Sequence, residues 1–189
     1  MRKSKAFWLI AVLGVLATNG CKTTPEMTNR PNFLTSYDHL QKVEPGLWRY
    51  ASPPLLANCT KFTVSPVKVL FTEYNGQPIT PEQREHTAAY VRDTMVKALG
   101  QWYPVVSEPG PDVGEIRIAL TGAYRTGGKL GLCVQGEILD NSNTQVAAVV
   151  RTELSEYYAP GWEDKQNARE MVQAWAQRLV KLIDETRRK

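Results

Sequence analysis

The chain has 189 residues, 42% of them hydrophobic, and sets 23 lysines and arginines against 19 acidic residues. The formal charge of +4 and pI near 9.0 suggest a nucleic-acid partner, yet Arg2, Lys3 and Lys5 lie in a leader expected to be removed with residues 1–20. Losing those three lowers the 23 basic residues to 20 against 19, and without a strong basic footprint a nucleic-acid role is excluded.

The N-terminus explains the lost charges. Arg2, Lys3 and Lys5 precede twelve apolar residues, Ala6 to Ala17, followed by Thr18, Asn19, Gly20 and Cys21. Twelve residues fall short of the roughly 20 needed to span a bilayer as a helix and match the core of an export signal. The arrangement resembles bacterial lipoprotein signals, in which small residues precede a cysteine that is acylated and becomes the first residue of the mature chain. Gly20 and Thr18 fit that pattern; Asn19 and the lack of a leucine depart from it. Secretory cleavage after Ala17, giving a soluble periplasmic protein, is the competing reading. The resemblance implies a signal peptide at 1–20, lipid on Cys21 and a polar tether, "KTTPEMTNRPN", up to residue 32. Lys22 in place of Asp implies sorting to the outer membrane, facing the periplasm. With Cys21 acylated, Cys59 and Cys133 remain either as a disulfide or as two buried thiols.

Residues 33–189 are long enough for one domain with a sizeable core. "FLTSYDHL" (33–40) spaces Phe33, Leu34, Tyr37 and Leu40 as a short helix or an irregular arm. "LWRYASPP" (47–54) predicts an extended piece ended by two prolines, and 61–71 a strand with a bulge or edge at Pro66. At 80–102 the helix signals converge: Thr80 as N-cap, Pro81 at the first position, and Gln83 completing a capping box. Ala88, Val91, Met95, Ala98, Leu99 and Trp102 form its apolar stripe, with Gly100 at its end.

A short strand is expected at 104–107, then three longer ones at 115–124, 130–140 and 144–157, with "DNSN" (140–143) as a turn. In the second, Leu130, Leu132 and Val134 alternate, with Ile138 expected out of phase. The final segment places Ala168, Met171, Val172, Trp175, Leu179, Leu182 and Ile183 on one helical stripe. Arg187, Arg188 and Lys189 then read as a solvated helix end favoured by the dipole. The order β-α-β-β-β-α predicts an α/β (α+β) two-layer sandwich. Its mixed sheet carries two amphipathic helices on one face, and the other face is partly exposed or covered by the 33–40 arm.

"FLTSYDHLQKV", "QWYPVVSEPGPDVGEIRIALTG", "GEILDNSNTQVAAVVRTE" and "WEDKQNAREMVQAWAQRLVKLI" occur in the order of an uncharacterised bacterial lipoprotein family, domain of unknown function thirty-three thirteen. The chain resembles that family over 33–183, most specifically in the run from Tyr103 to Asp112 and in the spacing of Trp162, Ala168 and Trp175. The resemblance implies an exported, lipid-anchored domain and brings no activity or catalytic residues with it. The longer insertion that the family often has between the strands near 124 and 130 is only "RTGGKL" here.

Chemistry-bearing patterns are sparse. "TGAYRTGGKLG" (121–131) fails as a phosphate loop, with Ala123 at the first glycine position and Leu130 in place of Ser or Thr; Gly127-Gly128 reads as a hairpin turn. His39 and His86 lack metal-ligand spacing, so no metal or cofactor is expected. Glu108, Asp112 and Glu115 sit in a connecting loop, and no nucleophile elbow is present. Tyr157, Tyr158 and Trp162, with Trp48, are candidate interaction aromatics, although a cluster at a strand-helix junction also suits a core. The sequence therefore points to a non-catalytic envelope lipoprotein. It touches the membrane through Cys21 and acts with an envelope protein as an accessory or assembly factor. The alternative is a module binding a small ligand or envelope polymer in a pocket lined by Trp48, Tyr157 or Trp162.

Overall fold

The computed structural model describes residues 31–74, 76–126, 129–158 and 165–188, with only the backbone path given for 125–126, 154–158 and 165–168. The expected signal peptide at 1–20, Cys21 and the expected 21–32 tether as far as residue 30 lie outside the described residues.

Three long antiparallel strands form the centre: β7 (Val113–Thr126), β8 (Lys129–Leu139) and β9 (Gln145–Tyr158). Two shorter strands, β1 (Gln41–Glu44) and β2 (Leu47–Ala51), extend the sheet beyond β9. On the far side β3 (Lys61–Val64) and β4 (Lys68–Val69) both run parallel to β7. The expected strand at 61–71 is thus split by Ser65-Pro66-Val67, as proline's missing donor dictates. A two-residue ribbon, β5 (Glu73–Tyr74) with β6 (Gln77–Pro78), stands apart. The helices are α1 (Pro53–Ala57), α2 (Pro81–Gly100) and α3 (Lys165–Arg187). This is a mixed α+β fold with a mostly antiparallel sheet.

Local chemistry accounts for the elements. Both halves of the α2 capping box form: Gln83 N donates to Thr80 Oγ1 at 3.2 Å, and Thr80 N donates to Gln83 Oε1 at 2.9 Å. Pro53 and Pro54 end β2 and at once open α1, because proline is preorganised for the first helical turn. That short helix, the β1 strand and the β5–β6 ribbon had no sequence expectation. The β1–β2 turn needs Gly46, whose φ is +76° and whose missing Cβ would stand 2.9 Å from the Thr152 carbonyl oxygen. The expected strand at 104–107 is reduced to one parallel bridge, Val105 against Phe62.

Sheet alternation sends Ile116, Ile118, Leu120, Leu130, Leu132, Val134 and Ile138 towards the helices, where Val91, Met95, Leu99, Trp175 and Ile183 meet them. Ile138 is therefore in phase with its strand, because Gly136 merely leaves one position without a side chain. Trp102 departs from the expected stripe: α2 ends at Gly100 and Trp102 is 68% exposed. Arg187 is not simply solvated, since its guanidinium lies 4.8 Å from the Tyr103 ring centroid and 5.7 Å from that of Phe62.

The opposite sheet face is covered by residues 31–40, which adopt the irregular-arm alternative. Leu34, Trp48, Ala148 and Val150 form a small second core, with Phe33, Tyr37, Leu40 and Tyr50 packed around it. Two polar side chains of β8 hold the arm. Gln135 accepts from Tyr37 Oη at 2.6 Å and donates to the Pro31 carbonyl at 3.1 Å. The fully buried Glu137 carboxylate takes Thr35 N at 2.8 Å, Gln145 Nε2 at 2.8 Å and Arg117 Nη1 at 3.0 Å. Burying a charge is tolerable only when its oxygens are satisfied in this way.

Glu137→Ala should cost about 2 kcal/mol, since it orphans several donors at once while Arg117 stays partly solvated. Urea denaturation should report that loss, and amide exchange should accelerate selectively across residues 33–37.

Candidate functional site

The helix layer is narrower than the sheet. On α3, Met171, Val172, Trp175, Ala176, Val180 and Ile183 are buried, whereas Leu179 and Leu182 are only half-buried. Both leucines border the part of the sheet formed by β9 and β2, and a cavity of about 250 Å³ opens beneath them. Its inner wall is apolar, reaching Met95, Ile118, Val134, Ile138 and Ala147. Gly136 and Ala147 keep the floor low, because neither carries a side chain large enough to fill the space under α3.

Charge collects at the mouth. Strand alternation turns Arg49 and Arg151 to the helix side, paired in register with Val149 and Leu47 respectively. From α3 come Arg178, Lys181 and Glu185. Glu153 sits at one end, taking Trp175 Nε1 at 2.5 Å, Arg178 Nη1 at 2.6 Å to each oxygen, and Arg151 Nε at 3.2 Å. Arg151 also reaches Glu44 at 3.2 Å, and Lys181 stands 3.7 Å from Glu185. Four cations thus face three carboxylates, and among the described residues Arg49 makes no ion pair. Burial pushes the Glu153 carboxyl up, but the Arg178 and Trp175 hydrogen bonds and the Arg151 charge outweigh it and hold the group below its ordinary range. So fixed, Glu153 is a poor proton acceptor at neutral pH.

The residues singled out from sequence are dispersed. Trp48 is 4% exposed and lies under the arm, on the opposite sheet face from the cavity, with Lys42 Nζ 5.3 Å from its ring centroid. It is neither a surface aromatic nor a pocket wall. Tyr157 and Tyr158 follow the β9 backbone, but their side chains, like the whole of Trp162, lie outside the described residues. Cys59 and Cys133 are unbonded and sit on opposite faces of the sheet, Cys59 in the helix-side core and Cys133 beside Thr152 Oγ1 at 3.6 Å. A disulfide needs Cα atoms within about 7 Å and converging Cβ vectors, and the intervening sheet prevents that. The alternative of two buried thiols is the one realised, and burial pushes the Cys59 thiol up.

Asp112 and Glu115 do not cluster; they tie β3 to β7 through Thr60, Lys61 and Ser65, while Glu108 is exposed. His39 stacks against Tyr50, and His86 is exposed on α2. Strand β8 follows β7 at Lys129, so a strand stands where a phosphate loop needs a helix; Gly127 and Gly128 themselves lie outside the described residues. Among the described residues no three histidine, cysteine or acidic side chains come together as a metal site, and no helix is long and apolar enough to cross a membrane.

Arg49, Arg151, Leu179 and Leu182 carried no sequence expectation as site residues. Their signal was present nonetheless: Arg49 and Arg151 are charges at strand positions that alternation turns to the covered face, and the α3 stripe is wider than one neighbouring layer can bury.

The chain is thus an α+β fold built on a seven-stranded sheet, with an apolar cleft between its helices and one wing of that sheet. By sequence it belongs to the family described as protein of unknown function DUF3313, which matches residues 30–132. That match is narrower than the 33–183 resemblance and ends within β8, before β9 and α3. No curated protein matches the chain. Among solved structures it is similar to the PelC dodecamer from Paraburkholderia phytofirmans, at 14% identity over 72% of this chain and 95% of that one, with a TM-score of 0.46. A point variant of the same dodecamer in another crystal form gives 14% identity, the same coverages and a TM-score of 0.44. An uncharacterised protein gives 17% identity over 67% of this chain and 92% of its own, with a TM-score of 0.41.

Because the folded carboxyl of Glu153 titrates below its unfolded value, its stabilisation is present above the ordinary glutamate range of about 4 and is lost as pH falls through the lower, folded value. Glu153→Gln should therefore destabilise the domain at pH 7. The gap from wild type should shrink on acidification, as read by urea midpoints across a pH series.

Proposed function

We propose that this protein is an envelope lipoprotein, anchored by lipid on Cys21 to the periplasmic face of the outer membrane, whose domain acts by binding rather than catalysis. It serves there as an accessory factor. The observation that carries the binding reading is the cleft beneath α3: an apolar interior of about 250 Å³ with a mouth of fixed charges. Sites that hold small ligands are concave and mostly apolar, with a few placed polar groups. Beside it the half-buried carboxylate of Glu153 is occupied by Trp175, Arg151 and Arg178, an arrangement suited to shaping a mouth rather than to moving protons. The anchor rests on the sequence of residues 1–21.

Intact mass of the protein from fractionated membranes, beside Cys21→Ala, tests the anchor. Acyl mass on Cys21, lost together with outer-membrane recovery in the variant, is expected; an unmodified chain beginning at Thr18 in the periplasm would overturn it.

A second reading, protein docking by strand addition, is favoured by β1. Its four residues are all exposed, Val43 is 49% exposed, and its outer edge has no strand neighbour among the described residues. The other edge is closed by residues 104–106, which hydrogen-bond both ways with Phe62. A photo-crosslinker at Val43 in whole cells should capture one defined envelope protein more strongly than the same probe at Trp102; equal, diffuse labelling would remove this reading.

A further inference from the structure

The cleft has two chemically distinct parts, and together they specify a ligand more narrowly than binding alone requires. The interior is hydrocarbon-like: Met95 from α2, Ile118 from β7, Val134 and Ile138 from β8, Ala147 from β9 and Leu179 from α3. Apolar interiors take up hydrocarbon; a closed cavity of about 150 Å³ accepts a six-carbon ring. By proportion, 250 Å³ accommodates about ten carbons.

The mouth supplies the second constraint. Arg151 and Arg178 share Glu153, Arg151 also meets Glu44, and Lys181 is matched by Glu185. Arg49 remains. It is exposed, lines the cavity, and makes no ion pair among the described residues. One surplus guanidinium beside an apolar cavity complements one monovalent anion carried on a hydrocarbon chain. Carboxylate suits it best, since its two oxygens match the guanidinium fork. A cationic head would meet the surplus positive charge unfavourably, and a neutral one would leave it unanswered.

We propose, building on the reading that this domain works by binding, that the cleft between α3 and the β2–β9 wing is a site for a single-chain carboxylate amphiphile, a fatty-acid-like molecule. Its chain lies over Gly136 and Ala147 beneath Leu179 and Leu182, and its head is paired with Arg49. Half-exposed Leu179 and Leu182 then gain the cover they lack in the free domain, so that burial of apolar area favours the bound state.

The test uses the full-length protein in membranes of cells that make it, labelled with decanoate carrying a diazirine at its methyl end and mapped by peptide mass spectrometry. The expected result is labelling confined to peptides containing Met95, Ile118, Val134 or Ala147. Unlabelled decanoate should displace the probe at least tenfold better than decyltrimethylammonium. Arg49→Gln, an exposed change that leaves the core intact, should weaken labelling about tenfold, and Arg49→Lys less. Val149→Phe, a bulkier residue well suited to a strand, should block the mouth and remove labelling while Arg49 stays in place. Equal displacement by both amphiphiles, or indifference to Arg49→Gln, would overturn the carboxylate assignment while leaving an apolar binding cleft. Labelling outside the cavity peptides, or unchanged by Val149→Phe, would overturn the site itself. Neither result alters the mass of the Cys21 anchor, which is read separately.

Discussion

Strand β8 is buried along its whole length from Leu130 to Leu139, and that is the constraint from which the rest of the domain follows. A strand buried on both faces needs cover on both, and the chain supplies two different kinds. Towards α2 and α3 the cover is apolar side chains on amphipathic helices. Towards the arm it is polar: Gln135 and Glu137 point into a layer where, among the described residues, Tyr37, Thr35, Pro31, Arg117 and Gln145 satisfy them. An apolar pair there would tolerate many arm positions, whereas a buried amide and carboxylate accept few, because each unmet group is costly. The arm is therefore pinned in register.

The same two-sided demand produces the cleft. Helices α2 and α3 pack on each other, α2 over β3 and β4 and α3 over part of β9, with α1 filling beside α3. Two helices cannot also cover β2 and the outer part of β9. What lies there is left to charge and half-buried leucine: Arg49, Arg151, Leu179 and Leu182. Ion pairing neutralises most of that surface and leaves Arg49 over. The cleft is thus the remainder of a packing problem in which the sheet is wider than its helical layer, and the residues at its rim have chemistry that a fully packed layer would not need.

Much of this was legible in the chain. The capping box at Thr80 and Gln83, the alternation of Ile116, Ile118 and Leu120, and the helical spacing from Met171 to Ile183 are local signals, and each element formed where its signal lay. The arm at 33–40 was legible only as a choice between helix and irregular segment, since four apolar residues at helical spacing fit either; the polar grip of Gln135 and Glu137 decided it. Trp102 continued the α2 stripe on paper, but the helix ends at Gly100 and Trp102 lies in solvent. The pairing of Cys59 with Cys133 could not be judged from spacing, because which sheet face each occupies depends on strand register.

By itself, then, the sequence determined the class of fold, the two long helices and the three central strands, because these depend on periodicity and capping within a few residues. The tertiary structure alone decided which polar groups are buried and matched, which cysteines are kept apart, and where the helix layer falls short of the sheet. Those outcomes depend on bringing residues as far apart in sequence as Arg49, Arg151 and Leu182 around one cavity, an arrangement set by strand order and helix docking and by nothing local to any of them.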